Sequence, residues 1–276
     1  MTEPKTWPGI GKCIYCGALE ETHKLTDEHI MPDGLRGNQK IERASCESCQ
    51  VIINRFETKV LREMLRAARI HSGIHSRKSK ERVSELPLNI VKEGDKRFEG
   101  EKIEVPIADH PYVLTMPSYP RPRMLAGLSR KALHNSLVWC RQPAFQPDLS
   151  ERIERLVKHL GPLIIRKRMT APHTEFMRLL AKIAHCAVIR RLHDHTFPPL
   201  KYLLPSVILR SDPHLAYYVG GELRCSTPRR AEPLETRIDF CEVMRGGGKV
   251  RLAIVKIDIF GPYGMPRHHV VAGEVI

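Results

Sequence analysis

Aromatic residues are scarce in this chain of 276 residues, with Phe, Trp and Tyr together making up 6%. Any core must therefore be mainly aliphatic. No apolar run approaches the ~20 residues that a membrane span needs. Residues 1–12 lack the basic-then-apolar pattern of a secretory signal, so we expect no membrane partner and a reducing, cytoplasmic setting. Neither an internal repeat nor a low-complexity tract is present, which excludes a solenoid. Acidic residues are also in deficit: 31 Asp and Glu stand against 45 Lys and Arg, a net charge of +14. A surplus of that size points to a polyanionic partner, nucleic acid first and an anionic membrane surface second. The 42% apolar content excludes global disorder, and the length allows two domains or one large one.

The charge is unevenly shared. Residues 1–100 carry 18 basic and 15 acidic side chains, whereas residues 101–276 carry 27 and 16. A grip on a phosphate backbone should therefore involve the C-terminal part. Each part holds four cysteines, but only those of the N-terminal part fall in pairs. Cys13 and Cys16 form one C-x2-C pair, and Cys46 and Cys49 form a second about thirty residues on. Four thiolates at that spacing are the ligand set of a closed tetrahedral structural zinc site. Tyr15 and Gly17 suit the tight fold-back of a zinc knuckle. Zinc would replace a hydrophobic core in a segment too short to build one. Cys140, Cys186, Cys225 and Cys241 have no such spacing and read as ordinary buried thiols.

Gly34, Gly37 and Asn38 suggest a tight loop between two short extended pieces. From Val51 a helix is expected, with Ile53, Phe56, Val60, Met64 and Ala68 on its apolar face. Arg55, Lys59, Arg62, Arg66 and Arg69 fall opposite, as either a solvated face or a phosphate-tracking one. Residues 71–102 read as a basic, weakly structured connector around Arg77, Lys78, Lys80 and Arg82, and residues 117–122 as an irregular Pro-rich passage. A helix is expected from a Ser150 cap through Leu160, stopped by Gly161-Pro162. Another, capped by Thr174, carries Phe176, Leu180, Ile183, Ala184, Ala187 and Val188 on its apolar face. Beyond Pro198 strands are expected, at residues 207–209, at 217–219 and from Val250. The apolar parity slips near Ile254, which predicts a bulge there. Residues 246–249, Gly-Gly-Gly-Lys, precede a strand and read as a hairpin turn rather than a phosphate loop.

Between the cysteine pairs stands Thr26-Asp27-Glu28-His29-Ile30-Met31-Pro32, and the second pair leads straight into a helix. This combination resembles the HNH, or ββα-metal, endonucleases, in the branch whose catalytic motif is embedded in a four-cysteine zinc site. The matching segments are residues 13–17, 25–32, 34–38 and 44–49 with the helix that follows. They span about residues 10–70, a quarter of the chain. The fold class expected is α+β: a small zinc-stapled ββα-metal domain over residues 1–70, the connector 71–102, and a larger mixed helix/strand domain over 103–276.

The resemblance implies roles residue by residue. His29 would be the general base that takes a proton from the attacking water, as a neutral imidazole can near pH 7. Glu28 would hold a catalytic divalent cation, usually Mg²⁺, which neutralises charge developing at the phosphate. The third ligand, commonly Asn or His directly after the last zinc cysteine, is here Gln50, with Asn54 one helical turn later as the other candidate. Asn38 is the nearest match to the loop-stabilising Asn, and Asp27 reads as a loop capper. Arg55, Lys59, Arg62 and Arg66 would contact the backbone of DNA. The rival reading is a zinc-dependent nucleic-acid-binding protein that does not cut, and a third treats the C-terminal part as a protein-interaction module. The pairs His193/His195 and His268/His269 lack acidic or cysteine partners at ligand spacing and read as non-ligands. Arg166-Lys167-Arg168 reads as a solvated patch or a phosphate contact.

Overall fold

A computed structural model describes residues 5–74, 83–92, 100–131, 137–166, 172–210, 212–225, 228 and 234–276. The N-terminal module starts with β1 (Lys5–Trp7), then β2 (Leu25–His29) and β3 (Gln39–Cys46), in a sheet of order β1-β3-β2. The turn-rich residues between β1 and β2 carry the first cysteine pair. β3 runs directly into α1 (Glu47–Lys59), with Cys46 as its N-cap. The helix thus begins four residues before Val51, because the second cysteine pair forms its first turn. A π turn follows over Val60–Met64, in which the Leu65 amide bonds back to the Val60 carbonyl at 3.0 Å, and then α2 (Arg66–His71). The π turn adds one residue and shifts the phase. Ile53, Phe56, Val60 and Ala68 point inward as expected, but Leu65 takes the inward place expected for Met64.

The stretch expected as a connector holds a strand, β4 (Glu85–Lys92), which pairs with β5 (Glu101–Pro106). Leu86, Leu88 and Ile90 alternate inward along it, a period of two masked by Pro87 and the flanking charges. β8 reaches β4 only from Asn89 to Lys92, so Pro87 lies where β4 has one neighbour and its missing N–H costs no ladder bond. Arg77, Lys78, Lys80 and Arg82 lie outside the described residues. β6 (Leu114–Ser118) pairs with β7 (Val138–Gln142), so the Pro-rich passage starts inside a strand, here in a two-stranded sheet that tolerates Pro117. α3 (Leu149–Leu160) follows an Asp148 cap rather than Ser150, and ends at Gly161 as expected. β8 (Leu163–Arg166) completes the sheet β5-β4-β8; Lys167 and Arg168 lie outside the described residues.

α4 (His173–Ile189) is the axis of the molecule. Its expected apolar face is buried, but so is nearly every other side, including Lys182, His185 and Cys186. After β9 (Leu200–Tyr202), two expected strands are helices: α5 (Pro205–Leu209) and α6 (Leu215–Tyr218), the latter leading into β10 (Val219–Gly221). Pro205 opens α5 at a position where its missing N–H is harmless, and burial of Val207 and Ile208 overrides their strand propensity. β11 (Leu234–Arg245) and β12 (Gly248–Ile259) form a hairpin joined by Gly246-Gly247. Both glycines have φ values of +59 and +82, as a two-residue turn of this hand requires. β13 (His268–Val275) lies on β12, and the register slips between Ala253 and Ile254, where the bulge was expected.

One apolar core runs from Ile14, Ile53 and Phe56 through α4 to β12 and β13, so the N-terminal module shares its interior with the C-terminal part. A smaller core of Leu88, Ile90, Val105 and Leu156 lies between β4, β5 and α3. Cys140 and Cys186 are buried as expected, whereas Cys225 is exposed and Cys241 half-buried. Among the described residues, no helix is long and apolar enough to cross a membrane.

Candidate metal centre and nucleic-acid interface

The first cysteine pair is a small fold-back. Cys13 donates its amide to the Ala18 carbonyl at 2.8 Å, and Gly17 donates to the Cys13 carbonyl at 2.9 Å with φ at +79, which glycine adopts without strain. The Ile14 amide then bonds to the Ala44 carbonyl at 2.9 Å, fastening this knuckle to β3 just before the second pair. The result brings Cys13, Cys16, Cys46 and Cys49 together, their sulfurs all within 4.8 Å of one another. Zn–S bonds of ~2.3 Å in a tetrahedron put sulfurs ~3.8 Å apart. Cys16 and Cys46 are 3.6 Å apart, and the donor set fits zinc. Three of the four cysteines are buried and Cys16 is exposed.

The local fields prepare one thiolate and oppose another. Burial works against ionising Cys46, but the Ser48 hydroxyl and the Cys49 amide outweigh it and lower the thiol to about 6. Cys49 is pushed well up by burial and by the neighbouring sulfurs. A cluster of sulfurs that resist joint ionisation is what a dication resolves, since all four must be deprotonated to ligate. The Cys46 amide also points at Cys13 Sγ from 3.5 Å, an outer-sphere contact of the kind that orients zinc thiolates.

The other expected residues are divided between two environments. Along β2, Asp27 is exposed and His29 half-exposed, while Glu28 and Ile30 are buried, as alternation in a strand dictates. Asp27 receives the Lys40 ammonium at 2.6 Å and the Arg43 amide at 3.2 Å. It thereby caps a bulge in β3, where Thr26 pairs with Ser45 but Glu28 pairs with Ile41. Gln50, at the head of α1, donates its side-chain amide to the Asp27 carbonyl at 3.3 Å and so ties helix to strand. Asn54 is exposed one turn later. Asn38 precedes β3 and its carbonyl accepts the Lys5 amide at 3.1 Å.

Glu28 does not stand where a cation from solvent would meet it, and the role expected for it is corrected here. Its carboxylate lies 2.7 Å from the ammonium of Lys182, from the middle of α4, and both side chains are buried. Glu57, two turns beyond Gln50 on α1, approaches the same ammonium at 3.0 Å, and Lys182 also donates to the His29 carbonyl. Burial acts to lower the pKa of Lys182, but Glu28 and Glu57 outweigh it and hold the ammonium charged. With Glu28 engaged in this way, the residues present do not fit the expected catalytic Mg²⁺ site.

α4 grips the module along its whole length. Lys59 pairs with Glu175 at 2.6 Å, Arg178 stacks over the Phe56 ring at 4.7 Å, and the Tyr15 hydroxyl meets Cys186 Sγ at 3.3 Å. His185 Nε2 bonds the Ile14 carbonyl at 2.7 Å, and Arg190 reaches Gln39 at 2.5 Å while lying over the Trp7 ring. Burial lowers His185 to about 4, so the ring is neutral and donates through Nε2. Lys59 is therefore partly spent on Glu175, whereas Arg55 of α1, Arg62 of the π turn and Arg66 of α2 are exposed. Arg69 turns inward to the carbonyls of Gly34 and Leu61.

Sequence reasoning missed Lys182, Glu57 and His185. One signal was available: Lys182 is the only charged residue between Arg178 and Arg190 in an otherwise apolar helix. Comparison with protein families, with curated proteins and with solved structures finds no match.

Proposed function

We propose that this chain is an HNH-type endonuclease that acts on phosphodiester bonds in DNA. The observation that supports it most is the arrangement of a four-sulfur site, a β2–β3 hairpin and α1 around a half-exposed His29. His29 is the residue that can take a proton from water at a scissile phosphate. Arg55, Arg62 and Arg66 would hold the strand by its backbone without reading its sequence. Zinc, when bound to the four thiolates, supplies a structural fastening and no chemistry.

The second reading is a nucleic-acid-binding protein of the same architecture that does not cut. The burial of Glu28 against Lys182 favours it, because the carboxylate expected to serve a catalytic cation is occupied. A plasmid-nicking assay separates the two readings. Wild type is incubated with supercoiled DNA in Mg²⁺, Mn²⁺ or Ni²⁺ beside His29→Ala, and binding is followed in parallel. Nicking by wild type that His29→Ala loses while still binding DNA supports the enzyme. Binding with no nicking in any of the three metals leaves the binder.

A further inference from the structure

His71 ends α2, His110 follows β5 and Gln146 precedes α3, and the three side chains meet. Gln146 is fixed in orientation. Its Oε1 accepts the Tyr112 amide at 2.8 Å, and its Nε2 donates to the His110 carbonyl at 3.1 Å. The same Nε2 faces His71 Nδ1 at 3.5 Å, so that nitrogen accepts and the proton of a neutral His71 sits on Nε2. His71 Nε2 therefore donates to His110 Nδ1 at 3.1 Å. That leaves His110 Nε2 to donate to the Pro87 carbonyl of β4 at 3.4 Å. Every link runs one way, from Gln146 to Pro87.

An added proton has no place in this chain. On His71 Nδ1 it meets the Gln146 amide donor. On His110 Nδ1 it meets the His71 Nε2–H, and moving that proton across the His71 ring only carries the conflict to Gln146. The end links are long, so one such conflict is enough to part them. The chain also stands at a joint. Leu88, Ile90, Val105 and Leu156 close a small core among β4, β5 and α3. Tyr112, stacked on His71 with ring centroids 5.2 Å apart, belongs to the main core.

The described charged groups around the pair are already engaged. Arg152 of α3 bonds the Ile107 and His110 carbonyls at 2.6 and 3.4 Å and pairs with Asp148. Asp109 pairs with Arg155, and Glu104, opposite Pro87 on β5, pairs with Lys102. Arg69 of α2 turns to the Gly34 and Leu61 carbonyls. Burial, then His110 and Arg152, lower His71 to about 4, against the opposing pull of Asp148.

We infer that Gln146, His71 and His110 form an acid-sensitive latch between α2 and the β4–β5–α3 unit, closed while both rings are neutral and released by one proton. The docked His71 takes up a proton less readily than a free imidazole. The latch is therefore at full strength above pH ~6.5 and weakens as pH falls toward 4. It holds equally for a chain that cuts DNA and for one that only binds it.

The test follows hydrogen exchange at the Tyr112 amide, the donor to Gln146 Oε1, in the full chain. Its protection factor should fall roughly twenty-fold between pH 7 and pH 5 in wild type. His71→Gln keeps a donor for His110 Nδ1 and can turn its oxygen to a protonated ring, so its protection should change less than about two-fold. Protection that wild type keeps at pH 5, or an equal fall in His71→Gln, overturns the latch. Ring ¹⁵N spectra of wild type at pH 7 give a second measurement that needs no folded variant. Both rings should carry their proton on Nε2, and a proton on Nδ1 of either one contradicts the chain of donors.

Discussion

The two ends of the N-terminal module solve one problem in different ways. Each must hold together pieces of chain that are far apart in sequence. At the cysteine end, four soft donors separated by up to 36 positions in sequence converge where an external ion can bridge them. At the other end, Glu28 and Glu57 converge on a cation that the chain supplies itself, carried on a helix more than 120 residues later. A metal bound at the first would make the module depend on metal supply, and the second makes it depend on the rest of the chain. The second solution goes with a core that runs continuously from the module to α4.

The largest effect should come from breaking the sulfur end. Structural zinc in small domains contributes ~10–16 kcal/mol of apparent binding free energy at neutral pH, enough to decide whether such a segment folds. A strong chelator, or Cys46→Ser, should therefore abolish protection of β2 and β3 amides in hydrogen exchange while leaving β12 and β13 protected. Loss of protection throughout the chain would show that the module and the C-terminal part unfold together. Breaking the ion end should cost less. Lys182→Met leaves two buried carboxylates without a counter-charge, a change that typically costs ~3–5 kcal/mol. In denaturant titrations, adding Glu28→Gln to that variant should recover part of the loss, and strictly additive losses would mean that the pair is not coupled.

A third prediction concerns pH. His185 is lowered to about 4 in the folded chain from an ordinary value near 6.5. The unfolded state therefore binds more protons between those values. The contribution is fully present above pH ~6.5 and is lost as pH falls toward 4, on the order of 3 kcal/mol. His185→Gln keeps a donor for the Ile14 carbonyl and should flatten this acid limb; an unchanged limb would assign it to other groups. The smallest effects belong to the exposed basic face. Arg55→Ala and Arg62→Ala should each reduce the salt slope of DNA binding by about one, with Lys59→Ala doing less because Glu175 already engages it. Binding that is indifferent to salt would favour protein interaction instead.

What could be read from sequence was local. The slip at Ile254, the Gly246-Gly247 turn and the apolar face of α4 depend on patterns within about a dozen residues, and the cysteine site on two C-x2-C pairs that are each local; all four stand in the structure. Misreadings arose where distant contacts overrode local preference. Residues 207–209 have a strand composition, but Pro205 and burial against α4 make them helical. β4 was concealed because its partners, β5 and β8, lie up to 77 residues away in sequence and its own stretch is charged at both ends. The motif around His29 identified the right strand but not its faces. Alternation puts Glu28 inside, and only the fold supplies the lysine that it meets there.

The central claim is that four sulfurs hold one zinc ion and thereby shape the strand that carries His29. Native mass spectrometry of the purified chain tests it most directly. The account predicts one zinc per chain, retained by His29→Ala and lost on Cys13→Ser or Cys46→Ser. A metal-free wild type that stays folded, with all four thiols open to alkylation, would contradict it.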